Sequence, residues 1–206
     1  NTWATNINGN ENFYFVDVTP NENWIKLVNK KYPNIKINIF DHHPVCENFK
    51  KYDNVNLLYD NNIAGCKICL NYIKNQEHNG KFEFPEKLIK VINLISYYDT
   101  WQFVDLQEKE KNNVLAFHEY LNKYVSSEHD YNMFKRIIDD IITGNLSFEN
   151  INIIGNEEIN RNKLKAYDIC NNSLMVFEQD FVDILFYGKP DYYIQNVFVQ
   201  LLKNIT

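Results

Sequence analysis

The chain has 206 residues, 45% of them hydrophobic and 15% aromatic, with a formal net charge of −6. This is enough apolar material to bury the core of one domain, or of one and a half. No apolar run reaches membrane-spanning length, and the acidic balance argues against a protein that grips long nucleic acid by neutralising its phosphates.

In chain order, Phe13-Tyr14-Phe15-Val16 reads as a strand closed by Asp17. A helix over 21–31 follows, with Thr19 and Asn21 as capping candidates and Pro33 as its stop. Ile35 to Phe40 is an apolar strand. Pro44 and the polar stretch to Asn54 predict a loop with one helical turn. Val55, Leu57 and Tyr59 alternate along a third strand, and Ile63, Cys66, Leu70 and Ile73 recur at helical spacing over 63–76. Gly80 breaks the chain. Pro85 suits the first turn of a helix running to about Tyr97. Helices near 112–124, 129–143 and 150–175 form a helical layer and a connector. Phe181–Tyr187 reads as a further strand and Pro190–Leu202 as a helix. The early alternation of strand and helix predicts an α/β fold, a parallel sheet flanked by helices on both faces. The late strand opens a small second α/β domain.

The richest feature is Asp41-His42-His43-Pro44, directly after the second strand. Ligands gather at the carboxyl ends of parallel strands. A carboxylate and two imidazoles there offer oxygen and nitrogen donors suited to Mn²⁺, Fe²⁺ or Zn²⁺. Asp17 closes the first strand, and Asp99 closes the run Val91–Tyr98. A single Asp at such a place is most often a turn or helix-cap residue. Adjacent histidines after an acid have no common structural role.

Other residues have plainer readings. Cys66 and Cys69 form a C-x-x-C without a second pair, and their helical spacing marks them as small core residues. Cys46 and Cys170 are unpaired in sequence, which fits a reducing, cytoplasmic location. His78 precedes a Gly cap, His118 sits among Phe117, Tyr120 and Leu121 as a half-buried packing residue, and His129 stands at a helix start. Trp101, two residues after Asp99, is either a loop anchor or a surface for a nucleobase. Tyr192-Tyr193 carries the same ambiguity.

With these pieces in order, the chain resembles the DHH phosphoesterase superfamily. Phe15-Val16-Asp17-Val18-Thr19 is similar to its second motif, Asp41-His42-His43 to its third, and Tyr98-Asp99-Thr100-Trp101 to its fourth. Asn61-Asn62-Ile63-Ala64-Gly65-Cys66 looks like the small-residue turn after the third motif. The resemblance covers roughly residues 10–190 and is closest to the branch of oligoribonucleases and cyclic-nucleotide phosphodiesterases. It implies a DHH domain over 1–145, a connector helix over 146–178 and the start of the DHH-associated domain over 179–206. The family's first motif, a His and two Asp, is not found in residues 1–16, nor is a Gly-Gly-Gly-His segment found further on. The expectation is an internal piece of a longer protein. The alternative is a degenerate relative that has lost half its metal ligands.

Phosphodiester hydrolysis needs a nucleophile and charge neutralisation together, and two metals about 3.5–4 Å apart supply both. Asp17 is the candidate bridge, with His42 and Asp99 as further ligands. Adjacent side chains cannot enter one small site in the same way. His43 is therefore placed on the phosphate, as a catalytic and substrate-binding donor, and Asp41 behind it, orienting an imidazole. The expected function is a metal-dependent phosphodiesterase acting on short oligonucleotides or on cyclic or signalling dinucleotides, with two Mn²⁺ ions. The alternatives are a manganese pyrophosphatase and a non-catalytic nucleotide-binding relative. No membrane or long nucleic-acid partner is expected. The assembly state is left open, with a homodimer as the candidate.

Overall fold

The computed structural model describes residues 12–76, 83–125 and 130–172. The predicted strand over Phe181–Tyr187 and helix over Pro190–Leu202 lie outside the described residues. So do His78, His129 and the Tyr192-Tyr193 pair.

The first part alternates as the periodicity predicts. Strand β1 (Phe13–Val16) leads to helix α1 (Glu22–Lys31), strand β2 (Ile37–Asp41), a 3₁₀ helix (Pro44–Lys51), strand β3 (Val55–Tyr59) and helix α2 (Gly65–Gln76). The three strands form one parallel sheet in the order β1-β2-β3. The register places Phe15 beside Ile39 and Ile39 beside Leu57, so each pleat adds a row of apolar side chains.

One face of the sheet, with Phe13, Phe15, Ile37, Ile39, Val55 and Leu57, packs on Trp24, Ile25 and Val28 of α1 and on Cys46 and Phe49 of the 3₁₀ helix. The other face carries Phe40, whose ring lies 5.0 Å from that of Tyr72 in α2. Covered on both faces, β2 is buried along its whole length. Fully burying side chains such as Ile37, Ile39 and Phe40 stabilises the fold by about 1.5–3 kcal/mol each. The polar exception in that strand is Asn38. Its buried amide donates to the Phe13 carbonyl and its oxygen accepts from Asn56.

The stretch from Pro44 to Asn54 is more helical than expected. An eight-residue 3₁₀ helix replaces a loop with one turn. Pro44 opens it, and buried Cys46 and Phe49, three apart, tie it to the sheet. Asn21 caps α1 by accepting from the Asn23 amide at 2.8 Å. Thr19, the other capping candidate, points elsewhere.

Helix α3 (Glu86–Asp99) starts one residue after Pro85, and a short 3₁₀ helix (Gln102–Asp105) follows it. Asp99 is the last residue of this helix, two residues beyond the end predicted near Tyr97. Helices α4 (Glu108–Tyr124), α5 (Tyr131–Thr143) and α6 (Phe148–Asn172) complete the described chain. Helix α4 begins four residues before the predicted 112, because Glu108 and Glu110 suit a first helical turn.

The described residues fall into two compact units: those within 1–114 and 138–145, and those within 115–137 and 146–206. The first contains the whole sheet. Within the second, Gly155 of α6 meets α4 backbone to backbone, since a Cβ there would lie 2.0 Å from the Ala116 carbonyl oxygen. Asn162 donates to buried Glu119 at 3.0 Å, and buried Glu158 pairs with Lys123 and Arg161. His118 is half-buried in the same helix pair, its ring nitrogen 2.9 Å from the Asn122 amide. Among the described residues no helix is long and apolar enough to cross a membrane.

Candidate metal centre

The carboxyl ends of β1 and β2 lie side by side, because parallel pairing sets Val16 beside Phe40. The next residues, Asp17 and Asp41, therefore emerge from one edge. Asp17 leaves β1 with φ +60°, a left-handed turn that Asp tolerates better than most residues. Its amide still donates to the Phe40 carbonyl at 2.9 Å, so the turn is anchored to the sheet.

Asp17, Asp41, His42 and His43 each offer a ligand atom, and these atoms all lie within 4.8 Å of one another. Two sub-structures make up the group. In the first, His42 Nδ1 is 2.8 Å from Asp17 Oδ1 and 3.6 Å from Asp99 Oδ2. Two strand ends and the end of α3 thus meet on one ring nitrogen. In the second, Asp41 is fully buried. It accepts from the Thr19 hydroxyl at 2.6 Å, from the His43 amide at 3.1 Å and from His43 Nδ1 at 2.7 Å. Burial alone would raise the Asp41 pKa. The Thr19 hydroxyl and the His43 ring and amide outweigh it and hold the carboxyl below its usual range. An ionised Asp41 fixes the His43 tautomer with the proton on Nδ1, leaving Nε2 for whatever enters the site.

The sequence assignment therefore divides unevenly. Asp17, His42 and Asp99 converge as a set. Asp41 and His43 form a pair of their own, and their ring nitrogen and carboxylate are close enough to share a cation with Asp17 and His42. The His42 and His43 rings lie 4.2 Å apart at 33°, so neighbours in sequence present different edges. Trp101 is more than half exposed beyond Asp99.

Three further residues contribute to the site. Gly65 donates its amide to Asp17 Oδ1 at 3.1 Å from the first residue of α2, where helix amides are free and the dipole favours an anion. Ser96 is buried one turn before Asp99. Its hydroxyl accepts the Ala64 amide at 3.0 Å and so joins the start of α2 to the end of α3. Thr19 reaches across to Asp41. Thr19 and Gly65 had a legible signal, as parts of the stretches Phe15–Thr19 and Asn61–Cys66, and Ser96 had none.

The charge balance favours a cation. Asp17, Asp41 and Asp99 bring three carboxylates against two imidazoles. Asp99 also sits at the negative end of α3, where a carboxylate is disfavoured unless positive charge is near. Cys66 lies in the first turn of α2. Burial, and then the charges of Asp17 and Asp99, push its thiol up to about 11. Cys46, Cys66 and Cys69 are all free thiols.

An open groove of about 570 Å³ runs along β1 beside this cluster, lined by Tyr14, Val16, Val18 and Trp24 among others. No protein-family model, curated protein or solved structure matches the chain.

Proposed function

We propose that the protein is a metal-dependent phosphodiesterase of the DHH type, acting on short oligonucleotides or on cyclic or signalling dinucleotides. The observation that carries this reading is the meeting of Asp17 and Asp99 on His42 Nδ1, beside a second histidine oriented by a buried carboxylate. Carboxylate oxygens and imidazole nitrogens of this kind suit Mn²⁺. Asp17, His42 and Asp99 would hold the metal, with Asp17 as the bridging carboxylate of a two-metal site. A bound divalent cation would supply charge neutralisation at the phosphoryl group and an acidified water.

The chain's own residues do the rest. His43 Nδ1 is tied to Asp41 at 2.7 Å, which holds the ring in one orientation, and as an imidazolium it would donate its Nε2–H to a phosphoryl oxygen. The Asp41 charge offsets the charge the ring takes on when both nitrogens carry protons. Gly65 and Ser96 keep Asp17 and Asp99 at their spacing. The sequence resemblance supports the same assignment. The family's His-and-two-Asp motif is not among residues 1–16, and the second metal's ligands belong to that motif.

A hydrolysis panel with the full-length protein and Mn²⁺ tests the reading: a dinucleotide, a cyclic mononucleotide, a longer single strand and pyrophosphate. Turnover of the dinucleotide or cyclic nucleotide is expected. Turnover of pyrophosphate alone would move the assignment to a manganese pyrophosphatase. Mn²⁺ binding with no turnover of any substrate would leave a nucleotide-binding relative.

A further inference from the structure

We propose that the indole of Trp101 is the platform on which a nucleobase of the substrate stacks, while the phosphate attached to that nucleoside faces His43 and the Asp17–His42–Asp99 cluster. The phosphate half of this statement rests on the phosphodiesterase reading. The base half rests on Trp101 itself.

A tryptophan that merely anchors a loop buries its ring. Trp101 is 53% exposed, and the anchoring is done by its neighbour Phe103, which is only 7% exposed. The Phe103 ring stacks on Tyr98 with centroids 5.5 Å apart and planes 10° apart. Trp101 lies 5.7 Å from Phe103 on this buried stack. The indole is therefore backed by aromatic rings and still open to water.

Its place follows from the chain. Trp101 is two residues beyond Asp99, and two residues span at most about 7 Å. The indole must then start close to the carboxylate that meets His42. The loop is also fixed in place. The Trp101 amide donates to the Tyr98 carbonyl at 3.2 Å, and the Trp101 carbonyl accepts from Val104 at 3.3 Å. The Gln102 side-chain amide donates to the Asn62 carbonyl, tying this loop to the turn that precedes α2.

Trp101 holds φ +60° and ψ 10°, a left-handed backbone that a bulky residue adopts at a cost. Among the described residues the one other non-glycine residue with positive φ is Asp17. Strained backbone gathers at ligand clamps, where surrounding structure holds it. An exposed indole on a backbone held in place, resting on Phe103, loses little freedom when a flat ring stacks on it. Every base has such a face, so the platform selects nucleotides over base-free phosphates without choosing among bases.

The test compares the affinity of the full chain, with Mn²⁺ present, for AMP and for ribose 5-phosphate by titration calorimetry. Stacking of one base predicts that AMP binds about 5- to 150-fold more tightly. In Trp101→Ala that ratio should fall to near one, and Trp101→Phe should keep an intermediate ratio. Should the alanine variant fail to fold, judged by its thermal transition, the phenylalanine variant carries the test. Equal affinity of the unaltered protein for the two ligands, or an AMP preference that survives the substitutions, would overturn the proposal and point to the groove beside β1. The two readings fail separately. A base preference lost in Trp101→Ala without hydrolysis of any diester sinks the phosphodiesterase and not the platform. Hydrolysis without a base preference does the reverse.

Discussion

The backbone amide of Gly65 lies 3.1 Å from Asp17 Oδ1, and no other residue type fits at that position. A Cβ on Gly65 would stand 2.4 Å from the Phe40 carbonyl oxygen and 2.5 Å from the Asp17 amide nitrogen. Both are backbone atoms of adjacent strand ends and cannot swing away. The start of α2 is thereby pressed onto the sheet edge, and its free amide and dipole are brought to the carboxylate that turns toward His42.

Gly65→Ala should accordingly destabilise the fold by about 1–3 kcal/mol or more, as overpacking against backbone does. It should also weaken Mn²⁺ binding, because α2 must retreat from Asp17. Urea unfolding and metal titration of the same variant check both effects. Unchanged metal affinity would show that Gly65 is needed for packing alone.

The two histidines should separate cleanly in the full-length protein. His42→Ala should lower the Mn²⁺ content, since water must replace the nitrogen that meets Asp17 and Asp99. His43→Ala should keep the metal and lower kcat by about 10²–10³, the usual cost of one preorganised donor. Elemental analysis beside kcat distinguishes them. Equal metal loss in both variants would make His43 a ligand.

Thr19→Val removes a hydroxyl from the fully buried Asp41 carboxylate while keeping the side-chain shape. One oxygen then loses its donor, at a cost of about 1–3 kcal/mol in unfolding experiments. The Mn²⁺-dependent rate should fall as well, since Asp41 orients the His43 ring. Thr19→Ser should restore both. A rate unaffected by Thr19→Val would remove Thr19 from the orientation of His43.

Glu22 joins α1 to the end of the 3₁₀ helix. It accepts from Lys51 Nζ at 2.6 Å and from the Tyr52 hydroxyl at 2.8 Å. The Lys51 bond, then the Tyr52 bond, lower its pKa from 4.5 to about 2. A depressed acid contributes stability above its unfolded pKa and loses it as pH falls through the folded value. The gap in urea midpoint between the unaltered protein and Glu22→Gln should therefore be full at neutral pH and close between about pH 4.5 and 2. Added salt should narrow it at neutral pH, because the pair is partly exposed. A gap independent of pH would assign Glu22 a packing role.

Local pattern alone determined the three strands, the helix after β1 and the helix after β3, while the 3₁₀ helix after β2 exceeded what it predicted. Alternating and helical periodicities are short-range, and they were strong here: Val55, Leu57 and Tyr59 mark β3 at its observed ends. The same pattern picked out Asp17, Asp41, His42 and His43, because parallel strands with apolar runs must deliver their next residues to one edge. The sequence reading grouped Asp17, His42 and Asp99 and set Asp41 behind an imidazole, while the contacts themselves were decided by the tertiary structure. That His42 turns to Asp17 and Asp99 while His43 turns back to Asp41 depends on the strand register and on where α3 ends, neither of which is encoded in three adjacent residues. Thr19 reads equally well as a helix cap or as a donor to a carboxylate 22 positions away, and only the packed strand ends choose the second. Gly65 and Ser96 enter the site through a close backbone approach and a buried hydroxyl. Both depend on the distance between elements far apart in sequence, a quantity that periodicity does not carry.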